Sequence, residues 1–298
     1  MLPGFLPVLL PSEYVFVPWA PDRRRTDVSF VIATEPGRSD HPNEDFAAVS
    51  ARGAVLLDGA SAPPGVEIGC SHGVAWYTRR LGALLLAEVE AGSSLRDALA
   101  SAIRGASGLH ASTCDLDNQE TPSATVVVVR PTATELEYLV LSDSVLLVAE
   151  EEGTRLVADT RLDDLRRELA RAPYTTQEGT VERVRERHRR GQEIRAHRNV
   201  PGGFWTAGAD PRAADEAITG AIPIEKVRGL AAMSDGAARA VEVFGAFDWG
   251  GALTLVLEKG PRALVEKVRA LEAADPEQRA YPRGKERDDA TVVLWRPD

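Results

Sequence analysis

Short hydrophobic runs separated by turn-rich segments dominate the first half of the chain. The runs VSFVIAT, DFAAVS and GAVLLD, between Val28 and Asp58, predict buried strands joined by turns. Apolar residues then recur at helical spacing from about Val66 to Ala91, and a second helical stretch runs from Leu95 toward Ile103. Strands return as SATVVVVR, ELEYLVLS and VLLVAE, and their close spacing predicts antiparallel pairing.

The second half of the chain begins with a highly charged segment, Arg161–Arg198, which predicts two exposed amphipathic helices. Next come a Gly/Pro-rich loop, the strand RGLAAMS, helices around Gly251–Glu258 and Ala263–Ala273, and a last strand ATVVLW. This order predicts an α+β fold, a four-layer α-β-β-α sandwich of two antiparallel sheets flanked by helices. We find no repeat or linker, so we expect one domain over residues 1–298, with its core at about 28–296 and an N-terminal extension at 1–27.

Composition narrows the classes of partner. The chain has 298 residues, of which 44% are hydrophobic, enough for a substantial core. The net charge of -10 opposes binding to a nucleic acid backbone, so we expect no nucleic acid partner. No uninterrupted apolar stretch reaches the roughly 20 residues that a bilayer demands, and the opening segment is a poor signal peptide, so we expect no membrane partner and a cytoplasmic location.

Two cysteines, Cys70 and Cys114, lie far apart along the chain. We interpret no neighbouring Cys or His as a ligand at zinc-site spacing, so we expect neither a disulfide framework nor a zinc site. We interpret both as reduced, partly buried thiols.

Acidic residues recur at the ends of the predicted strands. They are Glu44–Asp45, Asp58, Asp235 and Asp288–Asp289. One such acid has a simple alternative explanation, because Asp followed by Gly is a common turn. Several carboxylates that converge would repel one another unless cations neutralised them, and oxygen ligands without Cys or His favour Mg²⁺ or Mn²⁺.

The motifs that contain these acids resemble those of the metal-dependent type 2C protein serine/threonine phosphatases. In order they are NEDF, LLDGAS, TPSATVVVV with LVLSDSVLLV, AAMSDGAA and RDDATVV, and the resemblance runs from about Thr34 to Trp295. It implies two Mn²⁺ or Mg²⁺ ions, with a weaker third one, and hydrolysis of phosphoserine or phosphothreonine esters by a water that the two metals activate.

The resemblance also implies roles for single residues. Asp58 would bridge both metals and be the central catalytic carboxylate, and the carbonyl of Gly59 would help to hold the second metal. Asp235 and Asp288 would complete the site of the first metal.

Four further positions have implied roles around these ligands, and at one of them, Asp289, the family often has Asn. Glu44 and Asp45 would hold the second metal, directly or through its waters. Asp143, in SDS, would contribute to the weaker third site. Asp289 would support the ligands from outside rather than bind a metal directly.

The phosphate-binding residues depart from the family pattern. The position of the family's phosphate-binding arginine holds Asp40, so the resemblance leaves Arg38 as the candidate, with His41 as a solvated loop residue or a helper. Arg239 replaces an acidic residue that supports the third metal in the family. His72 is a weak candidate for the leaving-group acid, with helix packing as its alternative.

Three interpretations of function stay open at this point. The first is a phosphatase that acts on phosphorylated proteins, and the second is the same chemistry on a small phosphate ester. The third is a weakly active or inactive phosphatase-like module that binds a partner or a phosphorylated ligand. The aromatic pair Phe204–Trp205 is either a surface that contacts such a partner or part of the core.

Overall fold

The computed structural model describes residues 29–60, 62–63, 65–172, 174–177 and 179–297. The N-terminal extension predicted for residues 1–27 lies outside them. The described residues form ten strands and seven α-helices. None of these helices combines the length and the apolar character needed to cross a bilayer.

The strands form two five-stranded sheets in which every neighbouring pair is antiparallel. The first sheet has the order β1 (Ser29–Glu35), β10 (Ala290–Arg296), β9 (Gly229–Met233), β6 (Val145–Glu150) and β7 (Gly153–Val157). The second sheet has the order β2 (Phe46–Val49), β3 (Ala54–Ala60), β4 (Ser123–Pro131), β5 (Glu135–Leu141) and β8 (Ile218–Pro223).

Helices cover the outer face of each sheet. The helices are α1 (Val74–Ala91), α2 (Leu95–Gly108), α3 (Arg161–Ala170), α4 (Val181–Ala196), α5 (Asp235–Glu242), α6 (Trp249–Lys259) and α7 (Pro261–Ala274). Two short 3-10 helices lie at Pro211–Ala214 and Ile224–Lys226. Helices α1 and α2 pack on the second sheet, and α5, α6 and α7 pack on the first. The predicted four-layer sandwich is therefore confirmed.

Side chains of the central strands explain why these layers form. Along β3, Val55 and Leu57 belong to the core beneath α1 and α2, whereas Leu56 belongs to the core between the sheets. Successive residues of a strand point to opposite faces. A strand buried on both faces therefore needs an unbroken apolar run, as in GAVLL and TVVVV.

The structure corrects one boundary that the sequence suggested and adds two strands. Helix α1 begins at Val74 rather than near Val66, because Gly69 and Gly73 adopt positive φ angles of 64° and 77° and keep the preceding segment in a loop. The short strands β7 and β8 were not predicted, since their mostly exposed residues lack an apolar run. The aromatic pair is part of the core, with Phe204 5% and Trp205 6% exposed.

Candidate metal centre

The strand-end acids lie along one edge of the sandwich. Asp58 is in the last part of β3, Asp235 is the first residue of α5 directly after β9, and Asp288 lies just before β10. In the first sheet Met233 is opposite both Val145 and Val292, so the start of β6, the end of β9 and the start of β10 lie side by side. Antiparallel pairing thus brings ends from distant parts of the chain to one edge.

A cavity of about 410 Å³ opens at this edge, and its lining includes Asp58, Gly59, Asp143, Asp235 and Asp288. The backbone N–H of Asp235 donates to Oδ2 of Asp58 at 3.2 Å. Burial raises the pKa of Asp58 well above its ordinary value, and the charges of the neighbouring aspartates raise it further. The structure therefore brings these five predicted residues together.

Asp45 is the most isolated of the acids. It is 6% exposed, and neither of its carboxylate oxygens has a hydrogen-bond partner in the described part of the chain. Burial, aided by the charges of Asp289 and Asp235 and opposed by the nearby hydroxyls of Thr291 and Ser234, raises the pKa of Asp45 to about 7. A buried carboxylate without a partner is costly, and an oxygen-binding divalent cation would remove that cost.

Basic side chains already balance part of the charge on the other side of the cavity. Asp288 accepts from Nη2 of Arg239 at 2.8 Å and from Nζ of Lys285 at 2.7 Å. Burial, together with the charges of Asp288 and Asp143, raises the pKa of Asp235 to about 6, although Arg239 and Lys285 oppose this. This chain therefore has a cation, Arg239, at the position where the family pattern has a further acid.

Asp289 holds the loop before β2 against the start of β10. Its carboxylate accepts from the backbone N–H of Gly37 at 2.8 Å and of Glu44 at 2.7 Å. Glu44 in turn contacts Gly59, where a side-chain Cβ would lie 2.9 Å from the carbonyl oxygen of Glu44. Asp289 therefore positions the loop that carries Glu44 and Asp45. The close approach of this loop also means that only glycine fits at position 59.

Asp143 lies in the turn that passes from the second sheet to the first. The preceding residue, Ser142, has a φ of 67°, a conformation that residues other than glycine rarely adopt. Its backbone N–H donates to Asp159 at 3.1 Å, which helps to fix the turn. Oδ2 of Asp143 pairs with Nη1 of Arg166 at 3.3 Å.

Arg38 does not lie at the cavity. Its guanidinium makes two hydrogen bonds to Asp40, at 2.9 and 2.7 Å, and its side chain is 70% exposed. The bidentate pair fully occupies the fork of the guanidinium. The structure therefore places Arg38 outside the cavity lining, because this loop folds onto itself instead of over the carboxylates.

Other basic residues line the cavity instead. They are Arg166 on α3, Arg195 and Arg198 at the end of α4, Arg239 on α5, and Lys285. The sequence predicted α3 and α4 as solvated helices, and their charged pattern alone does not reveal that one face covers a cavity. Two adjacent arginines illustrate this. Arg166 lines the cavity, whereas Arg167 is 69% exposed and pairs with Asp164.

The two histidines considered as helpers lie elsewhere. His41 is on the exposed loop, with Nε2 at 3.5 Å from Oε1 of Glu44. His72 stacks on Trp76 with ring centroids 4.2 Å apart, and its Nδ1 faces Cys114 at 3.3 Å. His72 is therefore part of a sulfur-containing cluster and is not a cavity acid.

Comparisons with known proteins find a matching family and several structures with a similar fold. A family model described as Protein phosphatase 2C matches residues 34–263. Serine/threonine phosphatase Stp1 of Staphylococcus aureus is 14% identical, with 91% of this chain and 95% of that chain covered at a TM-score of 0.54. MsPP of Mycobacterium smegmatis, solved with cacodylate, is 16% identical, with 91% and 98% covered at a TM-score of 0.54.

A third structure contains the metal. The catalytic domain of the phosphatase PstP, solved with two manganese ions, is 14% identical, with 90% of this chain and 97% of that chain covered at a TM-score of 0.52. At these identities the structures establish the shared fold. No curated protein sequence matches the chain.

Proposed function

Since the chain belongs to the protein phosphatase 2C family, we propose that it is a metal-dependent phosphatase that hydrolyses phosphoserine and phosphothreonine esters in proteins. The observation that carries this proposal is the convergence of Asp58, Asp143, Asp235 and Asp288 on one cavity. The partnerless buried carboxylate of Asp45 beside it supports a requirement for cations.

The proposed metals are two Mn²⁺ or Mg²⁺ ions. The donors at the cavity are oxygens alone, which suits these hard cations. In our assignment Asp58 would help to hold both ions, Asp235 and Asp288 would complete one site, and Glu44, Asp45 and the carbonyl of Gly59 would hold the other ion. Asp143 is the candidate for a weaker third ion, and Arg239 disfavours that site because its positive charge lies beside Asp288.

When bound, the cations supply positive charge that lowers the pKa of water and balances the phosphoryl oxygens. The chain itself supplies position and charge balance. Asp289 holds the Glu44 loop through two backbone hydrogen bonds, and the Asp235 N–H orients the carboxylate of Asp58. A carboxylate held in this way needs little reorganisation during the reaction.

Arg166 is our candidate for binding the substrate phosphate. It lines the cavity, its side chain is 49% exposed, and its present partners are the carboxylates of Asp143 and Asp163. Guanidinium groups bind phosphate through paired hydrogen bonds. Cations at the acidic cluster would weaken the hold of Asp143 on Arg166 and leave its guanidinium available to the substrate.

The test is hydrolysis of p-nitrophenyl phosphate and of phosphoserine and phosphothreonine peptides, with and without Mn²⁺. Wild-type protein should turn over only with metal, and Asp58→Asn should reduce kcat to background. Asp215→Asn is the matched control, because Asp215 is exposed, lies outside the cavity lining and should keep full activity.

A binding module is the competing function. It is favoured by the pairing of Arg38 with Asp40 and by the two cations that already balance Asp288. Absence of turnover on every phosphopeptide and small phosphate ester, with Mn²⁺ and with Mg²⁺, would support that module and contradict an enzyme. Turnover of small esters alone would move the substrate class to metabolites.

A further inference from the structure

A second cluster of metal-binding side chains lies away from the carboxylates, in the segment before α1 and the turn after α2. Cys70, His72, His110 and Cys114 each offer one ligand atom, and the four atoms lie within 4.8 Å of one another. The ligands come in two pairs, Cys-x-His and His-x₃-Cys. This convergence contradicts our interpretation of the cysteines as isolated thiols without a zinc site.

The distances match a tetrahedral ion. Zinc binds sulfur at about 2.3 Å and imidazole nitrogen at about 2.0–2.1 Å, so in a tetrahedron two sulfurs lie about 3.8 Å apart and a sulfur and a nitrogen about 3.5 Å apart. Sγ of Cys70 and Sγ of Cys114 are 3.4 Å apart. The sulfur to Nδ1 distances are 3.8 Å for Cys70–His72, 3.5 Å for Cys70–His110 and 3.3 Å for Cys114–His72.

Backbone hydrogen bonds hold the two segments together beside the ligands. The N–H of Asp115 donates to the carbonyl of Gly69 at 2.8 Å, so residues adjacent to Cys114 and Cys70 are directly linked. The carbonyl of His110 accepts from the N–H of Cys114 at 3.0 Å, which closes the turn between the second pair of ligands. These backbone hydrogen bonds fix the positions of the two segments that carry the four ligands.

The environment of His110 supports a ligand role. Its side chain is 1% exposed, and Nε2 has no hydrogen-bond partner in the part of the chain that the structure describes. The ring lies among the aromatic side chains of Trp76 and Tyr77, with centroids 5.2 and 6.1 Å away. The other ring nitrogen, Nδ1, faces Sγ of Cys70 at 3.5 Å, so a metal ion would bind His110 there and Nε2 would carry the proton beside the aromatic rings.

We propose that Cys70, His72, His110 and Cys114 form a structural zinc site. Two thiolates and two neutral imidazoles bind Zn²⁺ without residual charge and use all four tetrahedral positions, which leaves none for a substrate. The soft sulfur donors exclude Mg²⁺ and Ca²⁺ as the intended ion, and they separate this site chemically from the oxygen-only cavity.

The position of the site indicates what the zinc stabilises. The chain leaves the cavity at Asp58 and Gly59, passes Pro63, which lines the cavity, and reaches Cys70 and His72 just before α1. Zinc would tie this loop to the turn after α2. The site would therefore stabilise one wall of the cavity without contacting the substrate.

The experiment uses the full chain purified under reducing conditions. Metal analysis should find a stoichiometric amount of zinc that survives dialysis against a weak chelator able to remove Mn²⁺. Replacement by Co²⁺ should give the intense visible bands and the sulfur-to-metal charge-transfer band of a tetrahedral thiolate site, which six-coordinate oxygen sites lack. Chelation of the zinc by a strong chelator should lower the Tm.

Matched variants locate the metal. Cys114→Ser and His72→Ala should each lose the zinc and the Co²⁺ charge-transfer band, and His72 is exposed, so its removal leaves the core intact. His188→Ala, at an exposed position on α4, should keep both, and so should Asp58→Asn, whatever its activity. A wild-type chain that carries no zinc and gives only weak Co²⁺ bands, or one that retains a Cys70–Cys114 disulfide under reduction, would overturn the proposal.

Discussion

At the scale of single residues, the acids of the cavity differ in how their charge is balanced. Asp288 has two cationic partners, Arg239 and Lys285, and Asp289 accepts two backbone N–H groups. Asp45 has neither kind of partner in the described residues. We therefore expect Asp45, like the buried Asp58, to respond to pH and to metal.

The first prediction concerns the pH dependence of stability in the metal-free chain. In the folded state the pKa of Asp45 is about 7 and that of Asp235 is about 6, both above the pKa of about 3.9 for an unfolded aspartate. Between about pH 4 and pH 7 the folded state therefore binds more protons than the unfolded state. This contribution is fully present below about pH 4 and is lost as pH rises through 6 and 7. Thermal unfolding without Mn²⁺ should therefore show a lower Tm at pH 8 than at pH 5.5.

The substitution Asp45→Asn provides the control for this prediction. It removes the titrating group at nearly constant shape, so the difference in Tm between the two pH values should become smaller. An unchanged difference in the variant would show that Asp45 does not cause the effect.

The second prediction separates the two candidate arginines. Arg166→Ala should raise KM for a phosphopeptide on the order of tenfold or more, because a hydrogen bond to a charged group contributes about 1.5–3 kcal/mol. Arg38→Ala and Arg167→Ala should leave KM unchanged, since both side chains are exposed and pair with nearby aspartates. A raised KM for Arg38→Ala would return the phosphate-binding role to that loop.

At the scale of elements, α1 connects helix packing to the metal centre. Gly82 faces the second sheet so closely that an added Cβ would clash with the ring of Phe46. Phe46 is the first residue of β2 and follows Asp45 directly. The approach of α1 to the sheet therefore depends on a residue without a side chain, although glycine weakens a helix.

The third prediction follows from this contact. Gly82→Ala should lower the free energy of unfolding by about 1–3 kcal/mol through overpacking, despite the better helix propensity of alanine. It should also weaken Mn²⁺ binding, because Phe46 must shift beside Asp45. Chemical denaturation and Mn²⁺ titration by calorimetry measure the two effects.

Gly108→Ala is the matched control for the helix substitution. Gly108 ends α2, and an added Cβ there would meet no atom within 4 Å. This variant should be as stable as the wild type or slightly more stable. Equal stability of both variants would contradict the packing argument.

At the scale of the whole molecule, the candidate metal centre lies where the two sheets meet. Asp45 directly precedes β2 and Asp58 lies in β3, both strands of the second sheet, whereas Asp235 and Asp288 flank strands of the first. Ions shared between these carboxylates would therefore link the sheets at one edge, in addition to the apolar core between them. Such ions bind the folded chain and not the unfolded one.

The fourth prediction is that Mn²⁺ raises the Tm. Free metal at a hundred times its Kd should add about 2.7 kcal/mol to the free energy of unfolding. The gain should be lost in Asp58→Asn and retained in Asp215→Asn, as measured by calorimetry. A gain that persists in Asp58→Asn would mean that the cations bind elsewhere.

Much of this fold could be predicted from the order of hydrophobic runs. The run TVVVV predicted β4 because Val126 and Val128 face the helices while Val127 and Val129 face the other sheet. The acids at the strand ends were predicted for a similar reason, because each lies beside a recognisable strand. The assignment of metals to individual acids, the extent of the domain and the cytoplasmic location stay predictions.

The sequence by itself determined most of the elements, their layers and the carboxylates at their ends, because hydrophobic periodicity and strand-end position are local properties. Only the tertiary structure decided that Arg38 turns to Asp40, that Arg166 rather than Arg167 reaches the cavity, and that Cys70 and His72 meet His110 and Cys114. These outcomes depend on the paths of loops and on the faces of exposed helices. Contacts between distant segments fix those features. Cys-x-His and His-x₃-Cys are local patterns, but neither alone shows that the two pairs meet.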